Sequence, residues 1–158
     1  MEGHILTSES HNLDQMLPKV MALSNRIFSH EPHSKYTSLT LWQERISHPT
    51  SFIVYLAPID GPEADQPVAF LFVHPRIHTP PLSNGQNETL HIWLAGVLPE
   101  HRRGGYLQRM VDAVPSDSII SVCTAPELFP NMWSWLKKRN WTVERELGGG
   151  KVLLSKAL

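Results

Sequence analysis

Between Val97 and Met110 the chain reads VLPEHRRGGYLQRM, setting two arginines and two glycines side by side between an apolar run and a helix-like stripe. Adjacent arginines repel and paired glycines cost backbone entropy, so a plain surface loop has little use for the combination. A bound anion has. Where a strand turns into a helix, several backbone N–H groups lack partners and the helix dipole is positive. Glycine lets a bulky group approach the main chain, and arginine adds charge and bidentate donors. Arg102, Arg103, Gly104 and Gly105 therefore form a candidate cradle for phosphate or pyrophosphate. Without a ligand the same residues are a strand-to-helix turn with solvated arginines, and both readings stay open on these four residues alone. There is no GxxxxGK followed by Ser or Thr, and no GxGxxG with an acidic residue about 20 positions on, so a different pyrophosphate ligand is implied.

Composition narrows the remaining classes. Of 158 residues, 41% are hydrophobic and 18% charged, enough for one domain, 1–158, with a sizeable core. The 14 Lys+Arg against 15 Asp+Glu give no basic footprint for nucleic acid or a membrane surface, so any anion site is local. Cys123 is the only cysteine, which excludes an internal disulfide and fits a reducing compartment. No stretch is long and apolar enough to span a bilayer, and MEGHILTSESHNLDQ lacks a signal core; a cytoplasmic protein is the expectation. The nine histidines are scattered, with no HExxH or other tight ligand spacing, and no metal site is expected.

The elements that must position the turn read as alternating strands and helices. A short strand over His4–Thr7 precedes a helix over Leu13–Phe28, where Leu17, Val20, Leu23 and Ile27 recur at three- and four-residue spacing. After SHEPHSKYT comes a second helix over Ser38–Ile46, stopped by Pro49. SFIVYLA and QPVAFLFVHP read as an antiparallel pair, and HPRIHTPPLSNGQNET as an irregular connection. In TLHIWLAGVLP, Leu90, Ile92 and Leu94 share one face and His91, Trp93 and Ala95 the other, both largely buried; Gly96 invites a bulge or a close backbone approach. A helix over Gly104–Val114, the strand IISVCT, a helix over PELFPNMWSWLKKRNW, and the strands TVEREL and KVLLSKAL about a glycine turn complete the order β-α-α-β-β-β-α-β-α-β-β.

AGVLPEHRRGGYLQRMV resembles the signature of the GNAT superfamily of acyl-CoA-dependent N-acyltransferases. In that signature a strand ending in Val is followed by Pro-Glu-x-Arg-x-x-Gly-x-Gly and a helix. Arg102 falls on the arginine and Gly105 on the first glycine; Leu107 replaces the second. The element order is also that of the family: an α/β (α+β) fold with a mixed, mostly antiparallel sheet of about seven strands flanked by about four helices. NMWSWLKKRNWTVEREL resembles the later helix and strand, which often end in Tyr-Glu-Lys-x-Gly-Phe. Aligning Trp141 with that Phe puts Leu136 where many members carry a tyrosine general acid, and Asn140 at the glycine.

The resemblance implies acetyl-CoA as cofactor and a primary amine as acceptor. Backbone groups of Val97 and Leu98 would pair with the pantetheine arm. The amides of Arg103, Gly104, Gly105, Tyr106 and Leu107, with the Arg102 and Arg103 side chains, would hold the pyrophosphate. Asn131 lies two residues from an asparagine that often touches the cofactor. A bulge near Gly96 would splay the strand from IISVCT, and the Val97 N–H would polarise the thioester carbonyl. The incoming ammonium must lose a proton, and His91, six residues before Val97 where some members place a glutamate base, is the candidate; the other open reading is that it only fills a polar gap in the sheet. Trp93, on the same face, would border the acceptor pocket or is an ordinary core aromatic; Glu88 is a reserve base, and Cys123 is a leaving-thiolate acid, a transient acyl acceptor or a small buried residue. SHEPHSKYT and HPRIHTPPLSNGQNET, with His30, Glu31, His33, Tyr36, Arg76 and His78, would choose the acceptor, a small or amino-acid-like amine ranking ahead of a polyamine for want of an acidic cluster. Two other classes stay open: a CoA-binding protein without catalysis, and an interaction domain whose Arg102 and Arg103 contact an acidic partner.

Overall fold

The computed structural model describes residues 1–28 and 38–158, which form seven strands and four α-helices. The strands are β1 (Glu2–Leu6), β2 (Phe52–Ala57), β3 (Ala69–Ile77), β4 (Glu88–Val97), β5 (Ile119–Thr124), β6 (Thr142–Leu147) and β7 (Lys151–Ala157). The helices are α1 (Leu13–Ile27), α2 (Leu39–Ile46), α3 (Tyr106–Val111) and α4 (Pro130–Lys138). Strand order is β1-β2-β3-β4-β5-β7-β6. The β1–β2, β2–β3, β5–β7 and β6–β7 pairs are antiparallel and β4 runs parallel to β5, the mixed sheet expected. SHEPHSKYT, with His30, Glu31, His33 and Tyr36, lies outside the described residues.

Packing divides the chain into two compact units. The first comprises Met1–His74 and Leu94–Val114. Its core takes Leu17, Val20, Leu23 and Ile27 from α1, the apolar stripe of that helix, while Asp14, Gln15, Pro18 and Arg26 stay exposed. From α2 comes Trp42, fully buried, edge-on to Phe72 at 5.0 Å between ring centres and tilted against Phe70 at 5.9 Å. Burying each such large apolar side chain contributes roughly 1.5–3 kcal/mol. Ser38 starts α2, its hydroxyl accepting the Leu41 N–H at 3.3 Å.

The second unit comprises Pro75–Trp93 and Pro115–Leu158. Its core holds Ile120, Leu136, Trp141, Leu153 and Leu154. The register sets Leu90, His91 and Ile92 of β4 beside Ile120, Ser121 and Val122 of β5, and β7 lies antiparallel on β5 from Ile119↔Ala157 to Thr124↔Val152.

Several boundaries differ from the sequence expectation. β3 runs on through His74 to Ile77, so the irregular connection begins later. α3 is six residues long, because Gly104 and Gly105 belong to the turn and the chain tightens after Val111, with Ala113 and Val114 donating to the carbonyls of Met110 and Val111. α4 starts at Pro130, which disfavours helical backbone at Phe129; the N–H groups of Leu128 and Phe129 instead close a turn on the Ala125 carbonyl. Burial of β4 on both faces holds only for its first half, since Trp93 to Val97 are all half-buried.

Candidate active site

The arginine-glycine turn belongs to the first unit. Leu98, buried, ties it down: its N–H donates to the Val68 carbonyl at 2.9 Å and its carbonyl accepts the His101 N–H at 2.9 Å. That N–H is therefore engaged within the protein rather than open to a pantetheine arm. Pro99–His101 make one 3-10 turn, Arg102 is extended, and α3 follows at Tyr106. Two residues in between are left-handed, Arg103 at φ 71° and Gly105 at φ 74°. Glycine takes that conformation without penalty, whereas for a residue with a β-carbon it costs roughly 1–2 kcal/mol.

Such backbone gathers successive N–H groups into a concavity suited to an anion. Among the described residues, none accepts a hydrogen bond from the N–H of Arg103, Gly104, Gly105, Tyr106 or Leu107. The first three of these residues are exposed and the last two half-buried. A β-carbon on Gly104 would lie 3.1 Å from the Tyr106 ring, so the pair is tightly packed, while Gly105 faces open space. Arg102 folds back to donate from Nε to the Val97 carbonyl at 3.0 Å, a contact that steadies the end of β4. Arg103 is exposed and forms no ion pair with a described residue. Gly96, one residue before Val97, is explained by close approach: a β-carbon there would sit 2.9 Å from Ile27 Cδ1.

His91 lies in the second unit, 5% exposed, inside a chain of buried polar groups. Its Nδ1 is 2.8 Å from Ser121 Oγ, its neighbour across β5. Ser121 Oγ is 2.6 Å from Thr89 Oγ1, and Thr89 Oγ1 is 2.7 Å from His78 Nε2. At the other end Arg76 NH1 donates to His91 Nε2 at 3.2 Å and to Cys123 Sγ at 3.3 Å. Arginine can only donate, so Nε2 accepts and a neutral His91 carries its proton on Nδ1. The direction then propagates: His91 donates to Ser121, Ser121 to Thr89, and Thr89 to His78 Nε2. Burial first, then the Arg76 and Arg145 charges, lower the His78 pKa, against a smaller upward pull from Glu144. His78 is thereby kept neutral and able to accept.

Of the other expected site residues, Trp93 is half-buried on β4 and Glu88 is exposed at its start. Asn131 is exposed in the first turn of α4, and Leu136 is buried, 1% exposed, with no hydroxyl to offer. Arg76 and His78, expected in an acceptor-choosing loop, instead lie at and just beyond the end of β3, with His78 buried. Thr89 and Ser121 escaped the sequence reading. Their signal was available only in part: Thr89 and His91 share a face by strand parity, but Ser121 joins them through a register no local pattern reveals.

No family model matches the sequence, and no curated protein is similar to it. Solved structures are similar across nearly the whole chain. Arabidopsis thaliana NAA60 in complex with a bisubstrate analogue superposes with TM-score 0.66 at 11% identity, over 98% of this chain and 97% of that one. The NatC complex bound to Gag peptide and CoA gives TM-score 0.68 at 13% identity, over 100% and 99%. A GNAT-family acetyltransferase from Streptococcus agalactiae gives 0.64 at 11% identity, over 99% and 95%. At these identities the likeness establishes the fold, and the chain has the GNAT fold.

Proposed function

We propose that the protein is an N-acetyltransferase that takes acetyl-CoA and a primary amine. The observation that carries this reading is the turn, where five successive backbone N–H groups have no acceptor among the described residues and Arg103 stands beside them. That donor set fits a pyrophosphate, because each diphosphate oxygen needs one or two donors and a neighbouring positive charge. The residues that would hold it are Arg102, Arg103, Gly104, Gly105, Tyr106 and Leu107, with backbone groups of Val97 toward the pantetheine arm and Asn131 as a further contact. Solved relatives of the fold described with acetyl-CoA or CoA support the same ligand.

Acetyl-CoA would supply the acetyl group as an activated thioester. The chain's own part is to aim the Val97 N–H at the carbonyl oxygen and to take a proton from the ammonium. His91 suits that second task because a base must be deprotonated at rest, and the Arg76 guanidinium keeps its Nε2 bare of a proton. Trp93 would border the acceptor. The NatC complex with its peptide and the aminoglycoside N-acetyltransferase AAC(6')-Iy support an amine acceptor, peptide or small molecule. A free, half-buried thiol at Cys123 suits the reducing cytoplasm.

Leu136 favours a second reading, a CoA-binding protein without catalysis, since nothing at that position protonates a leaving thiolate. Titration calorimetry with acetyl-CoA, on wild type and on the Arg103→Glu, Gly105→Glu double variant, tests the common premise. Binding to wild type and none to the variant is expected; no binding to wild type removes both readings. Thiol release with a panel of amines then separates them.

A further inference from the structure

The buried chain contains more than a base needs. A histidine held by arginine on one nitrogen and serine on the other is already oriented, yet the chain continues through Thr89 to a second buried histidine. We propose that His78 is a positioning residue for the reaction, its Nε2 lone pair at one end of the chain acting with the Arg76 donor at the other to set the direction of every hydrogen bond from Thr89 to His91, so that the His91 proton stays on Nδ1 and Nε2 remains the basic atom. The inference rests on the reading of His91 as the base.

The argument is one of donor counting. Each hydroxyl holds one proton, so in a linear chain each can donate in only one direction. With His78 neutral and accepting, Thr89 donates to it, Ser121 donates to Thr89, and Ser121 is left to accept from His91. Protonate His78 and the chain must reverse. His78 Nε2 then donates to Thr89, Thr89 to Ser121, and Ser121 to His91 Nδ1. A neutral His91 must then carry its proton on Nε2, facing the Arg76 NH1 donor 3.2 Å away, and the base has lost its lone pair. Only O–H and N–H bonds change: the His91 Nδ1 proton passes by way of Ser121 and Thr89 to His78 Nε2 while one proton from solution is taken up on His91 Nε2, so the net gain is one proton and its charge rests on His78.

The surroundings favour the productive direction. His78 faces Arg76 at the end of β3 and Arg145 of β6, which oppose its protonation, with Glu144 of β6 in weaker opposition to them. The His91 ring lies 6.3 Å away, centre to centre, so that two charged imidazoles would repel. The Ser121 hydroxyl of β5 is also 3.5 Å from His78 Nε2, but its single proton goes to Thr89 at 2.6 Å, so Thr89 remains the donor to that lone pair.

Nitrogen-15 NMR of the histidine side chains in the intact protein reads the tautomers directly, without turnover. At neutral pH both His78 and His91 are expected as the Nδ1–H form. Thr89→Val, which keeps the shape and removes the relay, should leave His91 a mixture of tautomers and lower kcat/KM by about tenfold or more, with acetyl-CoA affinity unchanged. Thr89→Ser should restore both. His78→Gln keeps an acceptor that does not titrate, so it should preserve the His91 tautomer and remove one ionisation from the acid limb of the pH–rate profile. A folded Thr89→Val protein in which His91 stays purely Nδ1–H overturns the proposal. If that variant does not fold, wild type decides: the His91 tautomer must change in step with His78 protonation as pH falls, and independence of the two overturns it. Should wild type acetylate no amine, the acetyltransferase reading fails, while the NMR result still decides whether His78 governs His91.

Discussion

The turn after β4 and the buried chain that ends at His91 arrange their polar groups in opposite ways. The turn offers backbone N–H groups from consecutive residues, held out to solvent by two left-handed positions. The chain uses side chains drawn from positions 76, 78, 89, 91 and 121, all paired with one another and four of them buried. Main-chain donors tolerate most side-chain changes but not a change of backbone conformation. A buried polar chain tolerates almost no substitution, because any partner removed leaves another unsatisfied at a cost of about 1–3 kcal/mol. The lesson is that the two sites should fail differently, the first in ligand affinity alone and the second in rate and pH dependence.

The largest effect should come from breaking the turn. Placing carboxylates at Arg103 and Gly105 removes a guanidinium, adds two negative charges and strains the left-handed backbone at Gly105. Charge-assisted hydrogen bonds contribute about 1.5–3 kcal/mol each, so losing two weakens acetyl-CoA by about 10²–10⁴-fold in calorimetry. The His91 tautomers should not change. His91→Ala is the converse, with kcat/KM down by about 10²-fold or more and acetyl-CoA affinity intact. Its pH–rate profile should flatten near neutrality, and an unchanged rate would remove His91 as the base.

The contrast also explains what could be read from the residues. The turn is contiguous, and the chemistry proposed for it follows from Arg, Gly and the strand–helix switch, so VLPEHRRGGYLQRM is enough to suggest it. Its conformation was less legible: nothing in the order of residues says that Arg103 rather than Gly104 takes the left-handed position. The chain was legible at His91 only. Its partners come from β5 and from the end of β3, 30 and 15 residues away, and only the register of β4 on β5 brings Ser121 opposite His91. The seven strands and four helices followed from periodicity, whereas the start of α4 did not, since Pro126 and Pro130 both offer a first-turn proline and only the turn on Ala125 selects the second.

Gly96 links the turn to the core beneath it and gives a medium effect. Gly96→Ala would press a methyl group against Ile27 Cδ1 at 2.9 Å, and overpacking of this kind costs about 1–3 kcal/mol. Urea unfolding should show that loss, and Ile27→Val, which deletes the clashing carbon, should recover part of it in the double variant. If Gly96→Ala is as stable as wild type, the close approach is not what requires glycine there.

The smallest effect concerns the second unit alone. Burial pushes the Glu144 carboxyl up, but donors outweigh it: Ser155 Oγ at 2.6 Å, then the Ser83 N–H at 2.9 Å and hydroxyl at 3.0 Å, with the Arg145 charge beside them. The net pKa is lowered from 4.5. A carboxyl whose folded pKa is depressed stabilises the fold fully above its unfolded value, and that stabilisation is lost as pH falls through the folded value. Glu144→Gln should therefore lower the urea midpoint at pH 7 by less than Gly96→Ala does, with the difference shrinking on acidification below about pH 4.5. A deficit that persists undiminished in acid would mean that shape, not charge, holds Ser83 to β6. The same substitution deletes the Glu144 charge, which favours protonated His78, so the acid limb of the rate profile should move to lower pH while acetyl-CoA affinity at the turn stays where it was.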